Sequence, residues 1–119
     1  MTQLRIERVY HSLPDPASYR ILVDRIWPRG IAKAKAQIDW WAKELAPSPE
    51  LRRWFQHDPA KFPEFQERYR RELDENPAVA EAKESITAHL QTQDIVLLYG
   101  AKDEQHNQAV VLQAYLTQN

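Results

Sequence analysis

Two unbroken apolar runs, Ile21-Leu22-Val23 and Ile95-Val96-Leu97-Leu98-Tyr99, constrain this chain more than any other feature. A strand with one wet face alternates apolar and polar residues, so a run without alternation is expected where both faces are covered. Between the runs lie three helix starts of one kind. Ser48-Pro49, Asp58-Pro59 and Asn76-Pro77 each set a capping side chain before a proline at the first helical position. The side chain accepts from an orphan backbone N–H, and proline has no N–H to leave orphaned. Each start is followed by a stripe at helical spacing: Leu51, Trp54 and Phe55; then Phe62, Phe65, Tyr69 and Leu73; then Val79, Ala82, Ile86 and Leu90. Each stripe matches one buried helical face.

The remaining elements fall around these. Leu4 to Tyr10 alternates as a strand does. His11 to Ser18, with two prolines, reads as loop. The second strand is expected from Tyr19 to Ile26, stopped by Pro28, which lacks a ladder donor. Lys33–Gln37 fits a helical turn or an ordered connection. Asp39 suits the N-cap of a short helix from Trp40 to Leu45, ended by Pro47. On one helix Trp40 and Trp41 cannot both face inward, which leaves one ring for a rim or a partner surface. Asp94 opens the last strand, and Asp103 caps a final helix through about Leu116. The expected architecture is α/β, a small, mostly parallel sheet of about three strands covered by about five helices. The 119 residues form one domain, 1–119, with neither repeats nor low-complexity segments.

Several function classes drop out. No stretch approaches the ~20 apolar residues of a membrane span. The start, Met1 to Arg5, lacks the apolar core of a secretory signal, and a cytoplasmic location is expected. The absence of cysteine removes disulfides, thiolate catalysis and cysteine metal sites. The four histidines, His11, His57, His89 and His106, show no i, i+4 pair, and no metal or cofactor is expected. Two glycines in the whole chain exclude a glycine-rich phosphate cradle.

Charge points to a local site. The net charge is −1, yet residues 1–35 hold seven Lys/Arg against three Asp/Glu. A general nucleic-acid binder shows a broader basic footprint, whereas a pocket for a small anion fits this local excess. The excess surrounds Val23-Asp24-Arg25-Ile26-Trp27-Pro28-Arg29-Gly30, where a strand runs into a charged, aromatic loop.

Leu22 to Gly30 resembles the signature of the YeaO-like family, a group of bacterial proteins of unknown function. So do Glu44-Leu45-Ala46-Pro47-Ser48 with Leu51-Arg52, Trp54-Phe55 with His57-Asp58, and Leu98-Tyr99 with His106-Asn107 and Ala109. The resemblance runs from about Arg8 to Leu116. It implies a small bacterial cytoplasmic α/β protein and supplies no reaction. More distant relatives often carry a cysteine after the last strand and a Cys-His-Arg cluster beyond it. Here the matching stretches read Tyr99-Gly100 and Gln105-His106-Asn107, so thiol chemistry does not carry over.

Sites in such folds gather at the carboxyl ends of strands. Arg25 and Arg29 could fork a phosphate or carboxylate, since guanidinium binds planar anions bidentately. Alternatively Asp24 pairs with one of them and pins the loop, a reading that suits Arg25 best. Trp27 fits a core lid better than a stacking platform. Arg52 would add positive charge. His57 could act as acid or base, because histidine titrates near neutrality, or could simply brace its loop. Lys102, His106 and Asn107 follow the last strand, where they could contact a ligand or complete a helix cap. Glu72 borders the Tyr69/Leu73 stripe and could pair with an arginine. The candidate ligand site is therefore Arg25, Arg29, Arg52, Lys102, His106 and Asn107, with His57 and His106 as candidate acid–base groups. The ligand expected is a small phosphate- or carboxylate-bearing molecule. The alternative is a non-catalytic protein or nucleic-acid interaction module.

Overall fold

The computed structural model describes residues 2–117. Four parallel strands form one sheet: β1 (Leu4–Arg8), β2 (Ser18–Leu22), β3 (Trp40–Trp41) and β4 (Asp94–Tyr99). Their order is β1-β4-β2-β3. Five α-helices accompany them: α1 (Lys33–Ala36), α2 (Pro49–Phe55), α3 (Phe62–Glu75), α4 (Ala78–Leu90) and α5 (Gln108–Thr117). Among these residues no helix is long and apolar enough to cross a membrane.

β4 lies between β1 and β2, with Leu97 level with Ile6 and Ile21. Both its edges are paired and both its faces covered, which explains its apolar run. One face carries Ile21, Ile95, Leu97 and Tyr99 into the main core, where Leu51, Phe55, Phe65, Tyr69, Ile86 and Leu112 of the helices meet them. The opposite face carries Leu22, Val96 and Leu98. That side is closed largely by the segment from Trp27 to Ile38, with Trp27, Ile31, Ile38 and Trp41 packed on it. Trp27 is pinned there by Nε1 donating to the Ile31 carbonyl at 2.7 Å.

The sheet has four strands where about three were expected, because the segment read as a helix from Trp40 to Leu45 is a strand followed by a 3-10 turn, Lys43–Leu45. Asp39 does not cap a helix. Its carboxylate accepts from the Arg20 N–H at 2.8 Å and its own N–H donates to the Arg20 carbonyl at 2.9 Å, tying the segment to the edge of β2. Successive strand residues point to opposite faces. Trp40 therefore packs on the main core and Trp41 on the second cluster. Both rings, partly buried, thus pack on the sheet, one on each face.

The other boundaries shift modestly. β2 ends at Leu22, before the expected Ile26. Asp58-Pro59 opens a 3-10 turn, Pro59–Lys61, that leads into α3. Asn76 accepts from the Ala78 N–H at 2.9 Å, at the start of α4. Asp103 organises a turn by accepting from the Gln105 and His106 N–H groups, and α5 starts later, at Gln108.

Candidate functional site

Leu22 and Leu98 pair at the carboxyl end of the β2–β4 ladder. Beyond them the two strands splay into the segments that follow Val23 and Tyr99. A cavity of about 660 Å³ opens between these segments. β2's exit supplies Asp24, Arg25, Ile26 and Pro28, and β4's exit supplies Gly100, Ala101, Lys102 and Asp103. The start and first turns of α2 add Pro49, Arg52 and Arg53, and the turn after it adds His57. This is the crevice where open α/β sheets place ligands.

Asp24 forms a latch between the two exits. Its Oδ2 accepts from the Gly100 N–H at 2.9 Å, and its Oδ1 accepts from Nε2 of Gln108 at the start of α5. Its carbonyl accepts from Trp41 Nε1 at 2.7 Å. Burial pushes the Asp24 carboxyl up to about 6, against the downward pull of the Gly100 N–H, Gln108 and Arg52. Position 100 is glycine for a spatial reason. A Cβ there would lie 2.9 Å from Asp24 Oδ2.

Arg25 is a wall residue with two of its guanidinium donors engaged. Nε donates to the Pro47 carbonyl at 3.0 Å and one terminal nitrogen donates to the Ala46 carbonyl at 3.2 Å. It thereby fixes the chain's entry into α2. The same entry is braced from α3. Glu72, considered above as an arginine partner, accepts from the Ser48 N–H at 2.9 Å and the Ser48 hydroxyl at 2.6 Å. Ser48 Oγ in turn accepts from the Leu51 N–H at 3.1 Å. Buried Tyr69 donates to the Leu45 carbonyl at 2.5 Å.

Arg52 and Lys102 differ from Arg25. Both are exposed and both line the cavity. Among the described residues neither side chain has a hydrogen-bond or ion-pair partner. His57 joins them through backbone geometry. Gln56 (φ 48°) and His57 (φ 57°) are both left-handed, a conformation that non-glycine residues adopt at a cost of roughly 1–2 kcal/mol each. The Gln56 N–H closes α2 on the Arg52 carbonyl at 3.1 Å, and the next residue turns the histidine onto the cavity wall.

The structure thus gathers Arg25, Arg52, His57 and Lys102 around one cavity, and sets three other candidates apart from its lining. Arg29 is exposed on its turn, where its carbonyl accepts from the Tyr10 hydroxyl at 2.8 Å. His106 pairs with Asp103 at 2.9 Å and meets the Phe62 ring edge-on at 5.1 Å. Asn107 is fully buried and caps α5. Its Oδ1 accepts from the Val110 N–H at 3.0 Å and its Nδ2 donates to the Asp103 carbonyl at 2.9 Å. Asp24, Gly100 and Gln108 complete the site without having been candidates. Asp24 drew notice only as a partner for the neighbouring arginines. Its partners lie 76 and 84 residues away, and no local pattern marks such a pair. Among the described residues no three His, Asp or Glu side chains converge to hold a metal ion.

The family model described as the inactive DUF488-N3 subclade matches residues 3–119. The chain is 38% identical over 113 residues to the uncharacterized protein YeaO of Escherichia coli K12, covering 95% of this chain and 96% of that protein. It is 45% identical over 82 residues to the uncharacterized protein Rv3073c of Mycobacterium tuberculosis H37Rv, covering 69% of this chain and 70% of that protein. No solved structure matches it.

Proposed function

The chain belongs to the inactive DUF488-N3 subclade, and from that premise we propose a non-catalytic cytoplasmic domain that binds a small phosphate- or carboxylate-bearing ligand at the strand ends. The observation that carries this reading is the pair Arg52 and Lys102. Two cations from different segments line one cavity, and among the described residues neither side chain makes a hydrogen bond or an ion pair. Such groups are predisposed to take an anion from solution. The family's description as inactive agrees with binding rather than turnover, and the cysteine-free sequence agrees with a reducing compartment.

A thermal-shift panel of phosphorylated and carboxylated metabolites tests the reading. A ligand at 100 times its Kd stabilises the folded chain by ~2.7 kcal/mol. The Arg52→Ala/Lys102→Ala double variant loses that shift while its ligand-free melting temperature changes little, because neither side chain makes a hydrogen bond or ion pair and the pull of Arg52 on Asp24 is the smallest influence on that carboxyl. The reading fails if no anion shifts the native chain, or if the double variant shifts equally.

A further inference from the structure

Resting on that reading, we propose that the ligand is a hydroxyl-bearing phosphate monoester, its hydroxyl donating to Asp24 and its phosphate held by Arg52 and Lys102. Arg52 and Lys102 are exposed, whereas Asp24 is half-buried between the strand ends. An ionised carboxylate is a pure acceptor with about four lone-pair positions. The protein supplies one donor to each Asp24 oxygen, Gly100 N–H and Gln108 Nε2, and both are uncharged. Acceptor capacity remains on a residue that lines the cavity.

At pH 7.5 a phosphate oxygen is disfavoured at that position, because both groups are then mostly ionised and two anionic acceptors repel. The anion must therefore sit against the exposed cations, and the ligand atom that meets Asp24 must be a donor. The cavity leaves room for both ends. Its volume of about 660 Å³ lies well inside the range of small-molecule sites, roughly 300–1,000 Å³. Phe55 and Pro49 supply apolar wall for the body between the ends.

Charge balance selects hydroxyl over ammonium. Four cationic side chains line the cavity against two acidic ones, Asp24 and Asp103. A phosphate dianion with a neutral hydroxyl offsets that excess. A zwitterionic amine brings a further positive charge among the arginines.

Calorimetric titration at pH 7.5 with four probes tests this: inorganic phosphate, propyl phosphate, glycerol 3-phosphate and O-phosphoethanolamine. The expected result is that glycerol 3-phosphate binds tenfold or more tightly than propyl phosphate, the size of effect a hydrogen bond to a charged group supplies. In Asp24→Asn the gap shrinks to threefold or less, while binding of inorganic phosphate is retained. Should Asp24→Asn not fold, the probe pair on the native chain still decides. Equal binding of propyl phosphate and glycerol 3-phosphate overturns the inference and leaves the anion site standing. Tighter binding of O-phosphoethanolamine overturns the hydroxyl assignment. If none of the four binds, the anion site itself falls.

Discussion

Replacing Asp24 by asparagine should stabilise the folded chain, and only above mild acidity. The carboxyl titrates near 6 in the folded chain, against an ordinary value of 3.8. At 1.36 kcal/mol per pH unit, keeping it ionised where burial resists ionisation costs about 3 kcal/mol. The sign follows from linkage. Between the two values the folded chain holds more protons than the unfolded one, so stability falls as pH rises through 3.8 to about 6, then levels off. Asparagine carries no charge and keeps the latch. Its Oδ1 can accept from the Gly100 N–H, and its Nδ2 can donate to Gln108 once that amide turns over. Asp15 and Asp103 have the opposite sign. Hydrogen bonds hold their carboxyls low, chiefly from Ser18 to Asp15 and from the Gln105 N–H to Asp103, so their stabilisation is lost on acidification. Both are common to native and variant chains and cancel in the difference. Urea unfolding at intervals from pH 4 to 7.5 measures it. The variant's advantage should grow by about 2.5 kcal/mol across that range, roughly 10 °C in Tm for a domain of this size. Parallel curves, differing by less than about 0.5 kcal/mol throughout, would refute the assignment of a resisted charge to Asp24. A residue whose removal stabilises the fold is one the fold does not require, which directs attention to the cavity it lines.

Two further substitutions probe the frame around the cavity. Gly100→Ala sets a Cβ 2.9 Å from Asp24 Oδ2, displacing that carboxylate from the Gly100 N–H, and should cost about 1–3 kcal/mol in urea unfolding. Tyr69→Phe removes the buried donor to the Leu45 carbonyl and should lower stability by about 1–2 kcal/mol, with cavity binding affected far less than by Arg52→Ala.

Features that depend on near neighbours were legible in the sequence. Ser48 and Asn76 cap as their Pro-flanked patterns indicate, because a cap involves residues two or three apart. The uninterrupted run of β4 told of coverage on both faces for the same local reason. Trp40–Trp41 was not legible. Its two-residue strand depends on Asp39 meeting Arg20 across 19 residues, whereas its composition and the following Pro47 suit a helix equally well. The site divides along the same line. Arg52, His57 and Lys102 could be proposed because charged residues near strand ends and turns are conspicuous. The fates of Arg25 and Asp24 depend on carbonyls and amides 21 to 84 residues distant, and Asn107 disappears into a cap. Adjacent residues of like charge, such as Arg52 and Arg53, also separate only in space. Arg53 faces Glu50 at 4.0 Å, while Arg52 lies near enough to Asp24 to draw its carboxyl downward.

Titration of the native chain with inorganic phosphate, followed residue by residue in amide NMR spectra at neutral pH, tests the central claim most directly. The account predicts saturable shifts confined to Arg52, His57 and the Gly100–Asp103 segment, with the Asp15 turn and the last turn of α4 unmoved. Saturable shifts centred on another face, or a uniform drift that never saturates, would contradict it.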